Sequence, residues 1–286
     1  MRAPSPASII VGILRFRVLG SGSSGNTTLV EANGTRILID AGLGPREMAE
    51  RVQSAGVDPS SLAAIVLSHE HQDHVKGAVS FSRKWGVRLA GSRGTYAAAG
   101  FGAEDIAGYD VIEPGVPHVI GTLTVTGVPI PHDAAGPLAF VISHGGVSLG
   151  HATDFGHVSR GVADGFRTCD AVLVESNYDA DMLREGAYPW SLKERILGRF
   201  GHLSNSDVAG FLGRDLGELC QTVVLAHLSE KNNHPEIVRM SAEAALRRRG
   251  RTEVKLEITG REGTEWFVIA PPVHARPQKP QQLRLF

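Results

Sequence analysis

Ala63-Ala64-Ile65-Val66-Leu67-Ser68-His69-Glu70-His71-Gln72-Asp73-His74 is the stretch on which the reading of this chain turns. Its first five residues are all apolar, the pattern of a short strand buried on both faces. Its last seven carry no apolar side chain. The switch falls between Leu67 and Ser68, at the strand's carboxyl end, and open α/β sheets place ligand sites there. His69, His71, Asp73 and His74 are four metal donors within six positions. Hydrogen bonds alone cannot satisfy so many donors cheaply in a core. Imidazole together with carboxylate suits zinc, or manganese and iron of similar size. The competing reading is a solvated His-rich loop; the density of the motif argues against it.

Upstream, residues 14–19 alternate apolar and basic, as a half-buried strand does. Gly20-Ser21-Gly22-Ser23-Ser24-Gly25-Asn26 follows as a loop whose N–H groups could face a phosphate, with Ser23, Ser24 and Asn26 as candidate substrate contacts. Residues 27–31 and 36–39 read as a hairpin about Asn33-Gly34, ending in Asp40-Ala41-Gly42. Residues 45–55 read as a helix opened by Pro45. Downstream, residues 74–85 fit a single helix. Strands are expected at 123–130, 138–143, 147–150, 171–174 and 223–226. Ser204 with Asp207 makes a capping pattern. A long amphipathic helix is expected over 235–249, and residues 254–258 and 266–269 close the globular part. Helices alternating with buried strands, plus frequent hairpins, predict an α/β fold: a four-layer αββα sandwich of two mixed β-sheets.

His69-x-His71-x-Asp73-His74 resembles the H-x-H-x-D-H signature of the metallo-β-lactamase fold family. Further pieces of that family's pattern follow in order: Asp40 in Leu38-Ile39-Asp40-Ala41-Gly42, His132 in Ile130-Pro131-His132-Asp133, Asp154 in His151-Ala152-Thr153-Asp154, and His227 in Ala226-His227-Leu228-Ser229. The resemblance covers about residues 12–269. It implies two divalent metal ions, one held by His69, His71 and His132 and the other by Asp73, His74 and His227, with Asp154 between them. It implies that Asp40 orients a ligand or water. Two such ions would share a hydroxide and clamp the attacking and leaving oxygens of a displacement.

Glu175, in Val174-Glu175-Ser176-Asn177, and His202, in Gly201-His202-Leu203-Ser204, resemble elements of tRNA 3′-processing nucleases of the same fold. The likeness implies that His202 protonates the leaving group and Glu175 orients it, with Asp73 as the third catalytic candidate. The alternative is an ordinary buried ion pair. Residues 19–26, Ala187-Tyr188-Pro189-Trp190-Ser191-Leu192-Lys193, residues 201–205 and residues 226–233 are together closer to the WalJ/YycJ group of bacterial proteins. This implies a metal-dependent nuclease with 5′-to-3′ exonuclease activity on DNA, and adds Asn177 to the candidate substrate contacts. That group usually carries His where this chain has Tyr178. Only 73 positions separate Asp154 from His227, too few for the extra domain of larger nucleases of this fold.

With 29 basic and 30 acidic residues the net charge is −1, which excludes a globally basic nucleic-acid binder but leaves local patches open. Arg83, Lys84, Arg88 and Arg93 follow the motif closely and are candidates for phosphate contacts. Arg247, Arg248, Arg249 and Arg251 read as a solvated helix end. Glycine makes up 34 of 286 residues, pointing to many tight turns. Cys169 and Cys220 form no CxxC pair and read as buried thiols of a reducing compartment. No apolar run reaches the roughly 18 residues of a membrane span, and the N-terminal stretch lacks a signal-peptide cleavage pattern. A cytoplasmic protein without a membrane partner is expected.

Past residue 270 the chain becomes Pro-rich and ends Gln282-Leu283-Arg284-Leu285-Phe286. This resembles the Q-L-x-L-F peptide by which bacterial replication and repair proteins bind the DNA sliding clamp, with Gln282, Leu283, Leu285 and Phe286 as the contacts. The alternative is a tail that packs on its own domain or on an oligomer partner. Residues 1–270 are thus expected to form one catalytic domain and 271–286 a flexible tail. The expected activity is dinuclear metal-dependent hydrolysis of DNA in repair or replication. The rivals are RNA processing, a small-molecule hydrolase of the same fold acting on a cyclic phosphodiester, thioester or lactone, and an adaptor that has lost catalysis. Oligomeric state is left open.

Overall fold

The computed structural model describes residues 12–271. In chain order the strands are β1 (Leu14–Gly20), β2 (Thr27–Ala32), β3 (Thr35–Ile39), β4 (Ala64–Leu67), β5 (Arg88–Gly91), β6 (Tyr109–Val111), β7 (Pro117–Ile120), β8 (Leu123–Pro129), β9 (Leu138–His144), β10 (Val147–Ala152), β11 (Ala171–Glu175), β12 (Thr222–Ala226), β13 (Lys255–Ile258) and β14 (Phe267–Ile269). The helices are α1 (Pro45–Ser54), α2 (Gln72–Val75), α3 (Ala78–Trp85), α4 (Arg93–Ala99), α5 (Arg160–Phe166), α6 (Ala180–Glu185), α7 (Trp190–Leu197), α8 (Asn205–Arg214) and α9 (Pro235–Arg248).

The strands form two seven-stranded sheets, ordered β14-β1-β2-β3-β4-β5-β6 and β13-β12-β11-β10-β9-β8-β7. Each sheet is mixed in the same way. The first pairs antiparallel from β14 to β3 and parallel from β3 to β6. The second pairs antiparallel from β7 to β10 and parallel from β10 to β13.

Side-chain alternation sorts the apolar residues into three cores. In β4, Ala64 and Val66 point between the sheets, where they meet Phe16, Ile39, Phe140 and Leu173, while Ile65 and Leu67 point outward to Met48 and Phe81 of α1 and α3. In β12, Val224 and Ala226 point inward, and Val223 and Leu225 pack on Phe211 and Val238 of α8 and α9. Strands apolar on both faces are therefore the central ones, sandwiched between a sheet and a helix layer. The expected αββα sandwich of two mixed sheets is what forms.

One expected helix is two. Residues 74–85 break between α2 and α3, where Gly77 donates to the Ala41 carbonyl at 2.7 Å and a Cβ would lie 2.5 Å from the Leu43 carbonyl. The short strands β5, β6 and β7 and the helices α4 to α7 were not anticipated. Their three to eight residues offer too little periodicity to read. The basic residues also differ from expectation. Arg83, Arg88 and Arg93 pair with Asp105, Asp110 and Glu113, so three of the four proposed phosphate contacts are neutralised within the chain. Arg251 is no solvated helix end: it is buried and donates to the carbonyls of Gly217 and Cys220. Both cysteines are buried, as expected. No helix among the described residues is long and apolar enough to cross a membrane. The terminal peptide Gln282–Phe286 lies outside the described residues.

Candidate metal centre

The seven metal candidates, Asp40 and Glu175 stand at or just past the carboxyl end of a strand, whereas His202 lies on the connection between α7 and α8. Asp40 follows β3, residues 69–74 follow β4, His132 follows β8, Asp154 follows β10, Glu175 ends β11 and His227 follows β12. Asp40, Asp154 and His227 adopt left-handed backbone, with φ of 62°, 59° and 53°. Side chains other than glycine rarely do so, although Asp and His are among the more tolerant. Three such residues in one place mark a site where the surrounding structure holds the backbone in strain. The packing behind them is tight: a Cβ on Gly42 would fall 1.6 Å from the Asp73 carbonyl oxygen, so only glycine lets the Asp40-Ala41-Gly42 turn approach the motif.

The seven metal candidates fall into two adjoining clusters. His69, His71 and His132 form one; Asp73, His74, Asp154 and His227 form the other. Asp154 and His227 also form a further group with Glu175 and His202. In each cluster one donor atom per residue lies within 4.8 Å of every other. Asp154 belongs to the second, and its Oδ2 reaches to 3.6 Å of His69 Nε2 in the first. His69, His74, Asp154 and Glu175 are sealed from solvent, while His71, Asp73 and His202 keep 30%, 24% and 22% of their side-chain surface and form the mouth.

Hydrogen bonds fix which nitrogen of each ring faces inward. His74 Nδ1 donates to Asp40 Oδ2 at 2.8 Å, turning Nε2 to the site. Asp40 also accepts from Ser68 N and Ser68 Oγ, at 2.7 and 2.9 Å, and this same hydroxyl oxygen lies 3.0 Å from His69 Nδ1. His132 Nδ1 faces the carbonyls of Phe200 and Gly201 at 3.1 and 3.2 Å, so its Nε2 points to His71 Nδ1. These are the outer contacts that orient metal-binding imidazoles.

Electrostatics differ between the clusters. Burial, together with the neighbouring His74, His132 and His71 rings, holds His69 well below the usual imidazole range, and burial likewise lowers His132. For His74 and His227 burial acts in the same direction but is outweighed by the carboxylates around them, chiefly Asp154, with Asp40 at His74 and Asp73 at His227. Both rings are raised well above the usual range. A trio of imidazoles beside a carboxylate-rich pocket that draws in positive charge is the donor chemistry of a divalent cation site. His69 Nε2, Asp154 Oδ1 and His227 Nε2 are moreover buried without a hydrogen bond, a costly state unless a cation takes them up. The residues fit two divalent ions.

Beside the second cluster, His202 Nδ1 donates to Glu175 Oε2 at 3.0 Å. Glu175 is fully buried, and its Oε1 accepts from Phe155 N and Leu203 N at 2.7 and 3.2 Å. Burial alone would lower the His202 imidazole, but Glu175 and Asp154 reverse this and raise it to about 9. The loop carrying His202 is anchored by buried Leu203 and by the capping box of α8, in which Ser204 Oγ accepts from Asp207 N at 3.1 Å and Asp207 accepts from Ser204 N at 3.2 Å.

The structure thus brings together the seven metal candidates, Asp40, Glu175 and His202. It treats the four substrate candidates unequally. Ser23 and Ser24 stand exposed at the tip of a turn closed by Gly25 N and the Gly22 carbonyl. Asn26 is buried instead; its amide faces Asp73 Oδ2 at 3.4 Å and His74 Nε2 at 3.2 Å and ties the loop to the motif. Asn177 is also buried and donates to the His227 carbonyl at 2.9 Å, holding that left-handed turn. Two contributors were missed: Ser68, and Ser21, whose Oγ accepts from His227 N at 2.8 Å. A hydroxyl directly before the first histidine was the available signal for Ser68. For Ser21, 206 positions from its partner, the sequence holds none.

Comparison with known proteins agrees with this geometry. A family model described as the beta-lactamase superfamily domain matches residues 35–228. The exodeoxyribonuclease WalJ of Streptococcus pneumoniae is 34% identical over 231 residues, covering 79% of this chain and 86% of that protein. The exodeoxyribonuclease YycJ of Bacillus anthracis is 33% identical over 239 residues, covering 83% of this chain and 90% of that protein. Among solved structures, the metallo-β-lactamase fold protein YhfI of Bacillus subtilis superposes with a TM-score of 0.68 at 16% identity, over 91% of this chain and 99% of that one. The chain belongs to the metallo-β-lactamase superfamily and, within it, to the group of the WalJ and YycJ proteins.

Proposed function

We propose that the chain is a dinuclear metal-dependent phosphodiesterase that degrades DNA from an end, 5′ to 3′, in DNA repair or replication. The observation that carries this reading is the His202–Glu175 pair, a proton donor 3.0 Å from its supporting carboxylate and set directly against the cluster of Asp73, His74, Asp154 and His227. The likeness to two exodeoxyribonucleases supports the choice of DNA over RNA.

In this reading His69, His71 and His132 would hold one divalent ion and Asp73, His74 and His227 the other, with Asp154 serving the site from between the two clusters; zinc and manganese suit the donors, and iron is the third option. When bound, the ions supply positive charge at a phosphate and lower the pKa of attacking water. The chain's residues do the rest. Asp40 and Ser68 hold His74 and His69 in the tautomers that face inward. Asp73 presents its carboxylate at the mouth, at the edge where substrate arrives. Glu175 keeps His202 protonated, with Nδ1 on the carboxylate and Nε2–H left to protonate the departing oxygen. Ser23 and Ser24 are placed to donate to phosphate oxygens, and Asn26 and Asn177 act by holding ligands in place. Residues 1–270 form the catalytic domain of a cytoplasmic enzyme, and the tail at 271–286 recruits it to the DNA sliding clamp through Gln282, Leu283, Leu285 and Phe286.

The test is to incubate metal-loaded protein with end-labelled single- and double-stranded DNA and RNA. Mononucleotides released progressively from DNA 5′ ends are expected. Internal cuts only, or RNA cleaved while DNA is spared, contradict the reading. Deleting residues 281–286 should abolish clamp binding and leave hydrolysis intact; equal clamp affinity without the tail removes the recruitment claim.

A further inference from the structure

Helix α7 runs along the rim of the site with apolar side chains turned to solvent. Trp190 is 64% exposed, Leu197 39% and Phe200, just past the helix, 56%. Trp190, Glu194 and Leu197 stand at i, i+4 and i+7 and so share one helix face. Tryptophan gains more from burial than most side chains, so leaving it in water calls for a reason. The ring is nevertheless fixed: its Nε1 donates to Glu194 Oε1 at 2.8 Å, which uses the polar edge and leaves the π face open.

This segment is coupled to the metal centre. Arg195 Nε donates to Asp133 Oδ2 at 2.6 Å, beside His132. The Phe200 carbonyl accepts from His132 Nδ1 at 3.1 Å. Gly201 is packed so closely that a Cβ would lie 2.2 Å from the Ile196 carbonyl, which holds the backbone at Phe200 between the helix and His132. Between the two aromatic residues in sequence stand Arg195, which is paired with Asp133, and exposed Arg199. Fixed aromatic faces interleaved with cations are how single-stranded nucleic acid is held, because every base has a π face whatever its identity.

We infer that Trp190 and Phe200 form a stacking platform for the bases of a single-stranded nucleic-acid end whose phosphate lies at the mouth of the site, an inference that rests on the nuclease reading. Trp190→Ala raises KM for a dT oligonucleotide about tenfold with kcat little changed, and Trp190→Phe, which keeps a ring, restores most of it. Both variants hydrolyse a base-free strand of abasic phosphodiesters like the wild type, which also verifies their folding. Phe200→Ala shows the same contrast. Equal effects on the two substrates, or no effect on either, overturn the platform. Binding is read separately from the quench of indole fluorescence by the dT oligonucleotide in the milliseconds before turnover. A quench that Trp190→Phe removes supports the platform, and no quench overturns it. If the wild type cleaves no nucleic acid, the nuclease reading falls while the quench still decides the platform. A drop in solution mass on Trp190→Ala assigns the face to a second copy of the chain and overturns it as well.

Discussion

The first sheet delivers its donors on one loop: His69, His71, Asp73 and His74 follow β4, with Asp40 one strand away. The second sheet has the same order of antiparallel and parallel pairs but delivers His132, Asp154, Glu175 and His227 from four separate strands. The geometry of the first group is local and set within six residues. That of the second depends on the register of the whole sheet, in which Ala152 pairs with Val174 and Glu175 with Ala226. A slip of one residue there would turn each side chain to the opposite face. In the proposed reading the first sheet contributes metal binding almost alone, whereas the second joins metal binding to proton transfer through Glu175 and the neighbouring His202.

Removing a donor from either side should have the largest effect. His71→Ala on the first sheet and Asp154→Ala on the second are expected to lower kcat roughly a thousandfold or more, beyond the loss of a single oxyanion donor, with metal content falling in parallel. Retention of both ions by either variant would break the equivalence of the two contributions. His202→Ala separates the roles of the second sheet: kcat should fall about 10²- to 10⁴-fold while both ions stay bound, as measured by metal analysis alongside kinetics.

The first sheet's counterpart is Asp40→Asn, which removes the carboxylate behind His74. Metal affinity should weaken about 10- to 100-fold, and activity should return when metal is added in excess. The pH profile sharpens the contrast further. In the proposed mechanism His202 acts protonated, so kcat is expected to fall as pH rises through about 9. Bound cations beside Asp154 can only move that limb lower, and Glu175→Gln should shift it lower still. An unchanged limb in Glu175→Gln would detach His202 from its carboxylate. The smallest effect is on stability: Ser204→Ala removes the α8 cap, at a cost of about 1 kcal/mol, or a Tm lower by about 2–4 °C.

The same contrast governs what could be read before the structure. The first sheet's donors are contiguous and declare themselves by density. Asp154, His132 and His227, each alone in its stretch, carry no local sign of a metal role and became candidates only through order and likeness. The central strands β4, β11 and β12 were readable because burial on both faces makes them apolar throughout, whereas β5, β6 and β7 are three or four residues long and partly exposed. The places of Asn26 and Asn177, read as substrate contacts, were not legible for a related reason. Polar residues in a loop near a site look free to meet substrate, and only the fold shows that one amide is spent on Asp73 and the other on His227. The left-handed turns at Asp40, Asp154 and His227 left no trace either, since nothing in the chain distinguishes a strained Asp or His from a relaxed one.

The central claim is that both clusters must be filled for phosphodiester hydrolysis. Titrating metal into chelated protein, with bound ions counted and release of 5′-end label followed on the same samples, tests it most directly. Two ions per chain are expected, with activity rising as the second binds. Full activity at one ion per chain, or full activity in His71→Ala, would contradict it.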